Sequence, residues 1–323
     1  MHAIKKAIPA ALVLAFAGAA QAQVSVYGLI DMSYGKNEFV GEEKATIHSG
    51  GDSGSSQGNS VTRFGFKGST DVGSGVKANF KMESGGITSD GGVNPGGNFF
   101  NRQMWLGFSG GFGEVRVGRQ DSVPFQVMGN FDLNGQSDGV TSTYSGASVW
   151  ATGRQSRSVQ YMTPDMKGAK IHLGFVPEDS DTTNTDKATA SAAASYTVGG
   201  LMVGAAFESK RVEGGEDFKS VAASYDFKVA KVMAGYADGP GLYSGFALAK
   251  GPSVGIVAPV AGFSVGAQYA RDTKNDKDAV TELFVNKEVF KNTYGYAEFG
   301  RMSSDNTTKD GDNSFAVGVI YVF

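Results

Sequence analysis

The chain has 323 residues, with 29 lysines and arginines against 32 aspartates and glutamates and a formal charge of −3. That balance excludes a dominant electrostatic attraction to nucleic acid, and the absence of cysteine excludes disulfides, thiolate nucleophiles and cysteine-ligated metals. Glycine is the outlier: 47 residues, about twice ordinary usage, beside 22 Phe, 12 Tyr and only 8 Pro, which suits closely packed strands bearing aromatics rather than a disordered Gly/Pro tract.

The first 22 residues read as a secretory signal peptide. Lys5 and Lys6 precede an apolar stretch from Ala7 to Ala20, followed by the small-residue site Ala20-Gln21-Ala22. Cleavage there leaves residues 23–323 as a single domain, with 27 of the basic residues against all 32 acidic ones, a formal charge of −5. No later stretch approaches the eighteen apolar residues of a membrane-spanning helix, and no helical pattern stands out in residues 23–323.

Strand patterns recur instead, with period-2 alternation. "VSVYGLIDMSY" places Val24, Val26, Ile30 and Met32 on one side and Ser25, Asp31 and Ser33 on the other. "VTRFGFKG" sets Phe64 and Phe66 against Arg63 and Lys67, and "VKANFKME" sets Val76, Ala78, Phe80 and Met82 against Lys77, Asn79, Lys81 and Glu83. "FSVGAQYA" sets Phe263, Val265, Ala267 and Tyr269 against Ser264, Gly266 and Gln268. A soluble sandwich would alternate in the same way strand by strand, so the connections carry the discrimination.

Those connections alternate between short and long. The short ones include 71–75, 110–113, 163–168, 198–200, 226–228 and 258–262; between them fall 35–59, 85–98, 121–153, 177–187, 212–217, 272–277 and 302–312, most of them rich in Gly, Ser, Thr, Asn and Asp. One end of the sheet is trimmed and the other elaborated, which is the sidedness of an outer-membrane β-barrel. The count is sixteen strands, with the ends of those in 238–258 the least sharply marked. An even count puts both chain ends at the short-turn rim, where "SFAVGVIYVF" can pair with the first strand and close the sheet. Phe315, Val317, Val319, Tyr321 and Phe323 then face lipid, while Ile320 and Val322 stand as apolar exceptions on the inner face.

At this point the chain resembles the Gram-negative general porins, in the branch found in Betaproteobacteria. The matching segments are "VSVYGLID", "SVTRFGFKGSTDVGSGVKANFKME", "NRQMWLGFSGGFGEVRVGRQ", "VQYMTPDMKG" and the terminal "YVF". The resemblance implies a 16-stranded antiparallel transmembrane barrel, a homotrimer in outer-membrane lipid and lipopolysaccharide, and a third loop folded into the pore. It also implies a terminal Phe323 read by the outer-membrane assembly machinery. It implies no cofactor, and passive diffusion of small hydrophilic solutes.

The third loop is 121–153, too long for an ordinary connection, and Phe125, Val127, Met128, Phe131 and Trp150 give it apolar surface to pack inward. In anion-selective members of the branch, wall arginines oppose this loop. The positions matching them here are Arg63, Arg102 and Arg154, joined as candidates by Arg157, Lys67 and Lys81 and more loosely by Arg119, Arg116 and Lys77. Arg102 lies at the outer end of its strand, where the strand phase must break for it to point inward. Arginine suits this task because it stays charged and offers a fork of donors to carboxylate or phosphate. Asp121, Asp132 and Asp138 are the counter-charges expected on the loop. The alternative is that the arginines are solvated wall residues paired with acids such as Glu83 or Asp31.

Other chemistry is thin. His48 and His172 are the histidines of 23–323, and no G-x-S-x-G elbow sits at a strand–helix turn. The acidic loops lack the ligand spacing of a dedicated calcium or other metal site. A barrel enzyme would need an acid, a His and a nucleophile at the outer rim, where His48 is the one candidate. A non-conducting adhesin or structural barrel would need a plugged lumen.

Overall fold

The computed structural model describes residues 23–52, 58–93, 98–137, 153–178, 187–211, 215–240, 248–274, 277–308 and 310–323. The signal peptide, 1–22, lies outside them. Alternating residues make strands almost throughout. β1 (Gln23–Asn37) is followed by a short β2 (Thr46–Ser49) inside the first long connection. Hairpins then succeed one another: β3 (Arg63–Gly73) with β4 (Val76–Gly85), β5 (Gln103–Gly110) with β6 (Gly113–Asp121), and β7 (Arg154–Met162) with β8 (Ala169–Val176). After them come β9 (Thr189–Val198) with β10 (Leu201–Glu208), β11 (Phe218–Asp226) with β12 (Lys231–Pro240), and β13 (Leu248–Val260) with β14 (Phe263–Arg271). The wall ends with β15 (Ala279–Phe290), β16 (Thr293–Ser303) and β17 (Asn313–Val322).

Every neighbouring pair is antiparallel, and β1 closes the sheet by pairing with β17 on one edge and with β2 and β3 on the other. The wall is therefore the expected sixteen strands, with β2 a short addition that continues the sheet above the start of β3. Sixteen strands leave an aqueous lumen. Short turns use left-handed residues at their tips, Ser74-Gly75 and Ala261-Gly262 among them, as the right-handed twist of a two-residue hairpin requires.

The outer surface is apolar around the wall. Met104, Leu106 and Phe108 of β5, Ile171, Leu173 and Phe175 of β8, and Val317, Val319 and Tyr321 of β17 are each between 39% and 57% exposed. A band of this extent is far beyond what a water-soluble surface carries. Near the short-turn rim it is bordered by exposed Phe112, Phe227, Phe263, Phe290 and Phe323, the aromatic girdle of a membrane barrel.

The seam explains the chain end. Gly28 and Phe323 exchange two backbone hydrogen bonds, each 3.0 Å, and the Phe323 ring stacks on Tyr321 with centroids 6.3 Å apart. A Cβ on Gly28 would lie 2.5 Å from both Phe323 Cζ and the Arg63 carbonyl oxygen, so only glycine fits beneath the closing ring. Deleting Phe323, or replacing Gly28 by Val, is expected to lower the yield of the heat-modifiable barrel on refolding into detergent. Unchanged yield in both variants would remove this account of closure. Ile320, an exception to the alternation, packs inward against Tyr296 and Ala316. Gly318 also lies under Tyr296, so of the small residues near the seam Gly28 alone faces outward.

The absence of helix is corrected at one place. Val123–Met128 is a six-residue α-helix, too short to show a helical period. Ser122 Oγ caps it by accepting from Phe125 N at 3.2 Å, and Pro124 stands in its first turn, where its missing N–H costs nothing. A 3-10 turn, Gly129–Phe131, follows.

Candidate functional site

Three groups of side chains define the lumen: a cationic wall, the inserted loop, and buried acids beneath that loop. The cationic wall is built on the register of β1, β3, β4 and β5. Tyr27, Gly65, Glu83 and Gln103 form one inward-facing row. Gly65 matters because a Cβ there would sit 2.8 Å from Tyr27 Oη; without one, the Tyr27 ring lies across the strand. Its hydroxyl donates to Glu83 Oε2 at 2.7 Å. Glu83 is 3% exposed and also accepts from Arg102 Nε at 2.6 Å, while Lys81 Nζ stands 3.4 Å away.

Arg102 therefore does point inward, the turn before β5 supplying the break in phase. Its backbone N–H donates to the Glu83 carbonyl at 3.1 Å. The next row places Lys67 directly opposite Lys81. Two like charges in register repel; here the Tyr27 ring takes both, at 4.9 Å and 5.5 Å from its centroid, and Glu83 screens Lys81. Arg63 opens β3, donating to Ser60 Oγ at 3.3 Å and the Val61 carbonyl at 3.2 Å, and its charge acts on Tyr27. Lower on the wall, Arg116 lies 4.3 Å over the Trp105 ring and donates to Glu114 at 2.7 Å. Five cations thus share this face with two carboxylates, Glu83 and Glu114. Sequence reasoning missed Tyr27 and Trp105, whose only signal was inward parity beside lysines.

Arg154 stands elsewhere. It opens β7 as the register partner of Asp121, with the ion pair at 3.3 Å, while its neighbour Gln155 takes the inner position and donates to Glu208 at 2.8 Å. Arg119 links the two regions: it donates to the Asn101 carbonyl and to Ser156 Oγ (2.7 Å), and feels the charges of Arg102, Arg154 and Asp121. Arg157 is exposed, at a left-handed residue (φ 54°) where the β6–β7 register shifts.

The loop crosses the opposite wall. Val123, Val127, Met128 and Phe131 are buried to 2% or less, packed on Ala193, Ala206, Ala222, Met233 and Ala237 of β9 to β12. Small wall residues make the bed and large loop residues fill it. Beyond the helix, Leu133 N–H donates to Gln268 Oε1 at 2.9 Å. Asp132 folds the turn, its Oδ1 accepting from the N–H groups of Asn134 (2.8 Å) and Gln136 (3.0 Å). Asp138 and Trp150 lie outside the described residues.

At the tip, Asn134 Nδ2 donates to Glu282 Oε1 at 2.7 Å and Glu298 Oε2 at 3.0 Å. Asp31 completes this acidic set, accepting from Asn59 N (2.8 Å), Ser60 N (2.6 Å) and Tyr296 Oη (2.7 Å). Asp31, Glu282 and Glu298 are 0%, 0% and 5% exposed. The acids of this wall are covered by loops, whereas Lys67 is exposed to the lumen.

His48 is buried 3.8 Å from Glu42 and 3.9 Å from Asp52, but the adjacent Ser49 hydroxyl donates to the Ile87 carbonyl at 2.6 Å. Among the described residues no cluster of His, Asp and Glu has the arrangement of a metal site.

The family model of Gram-negative porins matches residues 10–309. Outer membrane porin protein 32 of Delftia acidovorans is 32% identical over 250 residues, 71% of this chain and 68% of its own length. An outer membrane porin protein of Bordetella pertussis is 29% identical over 267 residues, 72% of this chain and 69% of its own. In fold, the chain matches the anion-selective porin from Comamonas acidovorans with a TM-score of 0.73 at 23% identity, over 94% of this chain and all of that one. The chain belongs to the Gram-negative porin family, as a β-barrel of the outer membrane.

Proposed function

We propose that the barrel is a water-filled channel for passive diffusion of small hydrophilic solutes, selective for anions, with small organic acids and inorganic anions as the favoured class. The observation that carries this reading is the asymmetry of the lumen. Lys67, Lys81, Arg63, Arg102 and Arg116 outnumber the acids of their wall, while Asp31, Glu282 and Glu298 are buried behind loops. An anion crossing between loop and wall meets donors that replace part of its hydration; a cation meets repulsion without that compensation. Carboxylates gain most, since arginine offers two donors to two oxygens. Arg154 and Arg157 act further out, biasing approach rather than passage, and Asp121 offsets part of the Arg154 charge. The anion selectivity of the Comamonas porin supports the reading by analogy of fold.

The test is the reversal potential of the purified protein in a planar bilayer under a salt gradient. Anion preference is expected, strongest in dilute salt and fading as the screening length shortens from about 30 Å to about 3 Å between 0.01 and 1 M. A cation-selective wild type would overturn it.

The working form is a homotrimer of a chain beginning at Gln23 after removal of the leader, embedded in outer-membrane lipid and lipopolysaccharide and inserted by the outer-membrane assembly machinery through Phe323. Native mass spectrometry of the purified assembly tests stoichiometry and processing together: three copies of a chain starting at Gln23 are expected, and a monomer alone or a retained leader would refute the corresponding part.

A further inference from the structure

On the outward face of β8 to β12 the apolar band is interrupted by a groove of about 540 Å³. Its floor is alanine: Ala192, Ala194 and Ala205, neighbours in register across β9 and β10. One bank is Ile171, paired with Ala194; the other is Val221 and Tyr236, paired with each other. Large residues at the banks and a methyl-only floor make a trough of the kind an extended hydrocarbon chain fills by dispersion contact along its length.

The end of the trough toward the long loops is charged. One pleat above the Ala205–Val221 row, Phe207, Lys219, Asp238 and Lys250 lie side by side in register. A lysine on the lipid face is costly at mid-bilayer and nearly free at the interface, so this row marks the headgroup level, with the Lys219 stem lying along apolar surface below it. Asp238 accepts from Lys250 at 2.8 Å. Lys219 and Lys210 have no acidic side-chain partner among the described residues. Both border a second hollow, of about 330 Å³, that adjoins the groove through Lys219 and Asp238. Its acids are partly engaged: Asp217 accepts from Lys210 N–H at 3.0 Å, and Glu216 from Lys274 at 3.0 Å.

We propose that this groove is a binding site for an acylated, phosphorylated glycolipid of the outer leaflet, lipopolysaccharide, with one acyl chain along Ala192, Ala194 and Ala205 and a phosphate on Lys219 and Lys210. The charge complementarity fixes the leaflet: the lysines lie at the long-loop end, where phosphorylated glycolipid is the anionic lipid. The site deepens the membrane reading above and is independent of the selectivity reading, since none of its residues faces the lumen.

The experiment is native mass spectrometry of the purified assembly equilibrated with bis-phosphorylated lipid A or with phosphatidylethanolamine. Lipid A is expected to be retained over phosphatidylethanolamine. Lys219→Glu and Ala205→Trp, which remove the phosphate contact and fill the floor, are each expected to cut retention about tenfold, the scale of one charge-assisted contact. The reversal potential should stay unchanged in both, which keeps this test separate from that of the channel. Equal retention of the two lipids, or unchanged retention in Lys219→Glu, would overturn the proposal. So would loss of the multimer in Ala205→Trp with lipid retention intact in Lys219→Glu, since the groove would then be a contact between copies.

Discussion

Replacing Lys67 and Lys81 together by glutamate is expected to reverse the sign of the reversal potential. The two face each other across β3 and β4, so the double change turns a doubly positive patch into a doubly negative one while leaving Arg63, Arg102 and the loop in place. A permeating ion about 4 Å from one such charge gains or loses about 1 kcal/mol in bulk water and about 4 kcal/mol at the lower effective dielectric of a confined site. Since 1.4 kcal/mol is tenfold, the ratio of anion to cation permeability should fall by a factor of ten or more. Folding should survive, because a glutamate pair carries the same like-charge penalty, about 0.2–1 kcal/mol, that the lysines already bear. The corresponding double alanine variant should lose part of the preference without changing its sign. An unaltered potential in the glutamate variant would mean that the ion path runs elsewhere, and the cationic wall would lose its assigned task.

The sequence carried the wall of this barrel further than it carried the site. Strand number, sidedness and the closing strand were legible because each rests on local signals: period-2 alternation, turn chemistry and the length of each junction. Ile320 broke the alternation for a reason no local reading contains, its packing against Tyr296 on the neighbouring strand. The cationic wall was partly legible, since Arg63, Lys67, Lys81 and Glu83 share inward parity within two adjacent strands. Its centre was not, because the Tyr27–Glu83 bond joins residues 56 apart in sequence. Arg154 matched its family position by sequence, yet its contact is the adjacent strand's Asp121. The acids under the loop were invisible for the same physical reason. Asp31, Glu282 and Glu298 read as ordinary inward polar residues, and only closure of the barrel brings β1 against β16 and β17 and the loop tip onto all of them.

The loop tip supports the second large effect: Asn134→Ala should free it. In the wild type one side-chain amide donates to two buried carboxylates, Glu282 at 2.7 Å and Glu298 at 3.0 Å. Each has one further amide donor: Gln268 to Glu282 at 2.8 Å and Asn59 to Glu298 at 3.3 Å. Removing the Asn134 donor leaves two buried acceptors underbonded, a cost of about 1–3 kcal/mol for each neutral group and more for a charged one. The chain relieves it by letting water in at the tip, so the fraction of time the tip is released should rise by about tenfold for each 1.4 kcal/mol. The root of the loop holds, because Val127, Met128 and Phe131 stay packed on the alanine bed; this is a local opening, not unfolding. Single-channel recordings should therefore show the same barrel with more current noise and frequent brief excursions in conductance. Asn134→Asp should be worse than alanine, adding a third carboxylate where two already lack counter-charge, and Asn134→Gln should restore part of the quiet trace by supplying the same amide on a longer stem. Equal noise in wild type, Asn134→Ala and Asn134→Asp would show that the apolar root alone fixes the constriction and that the acids under the tip have no hold on it.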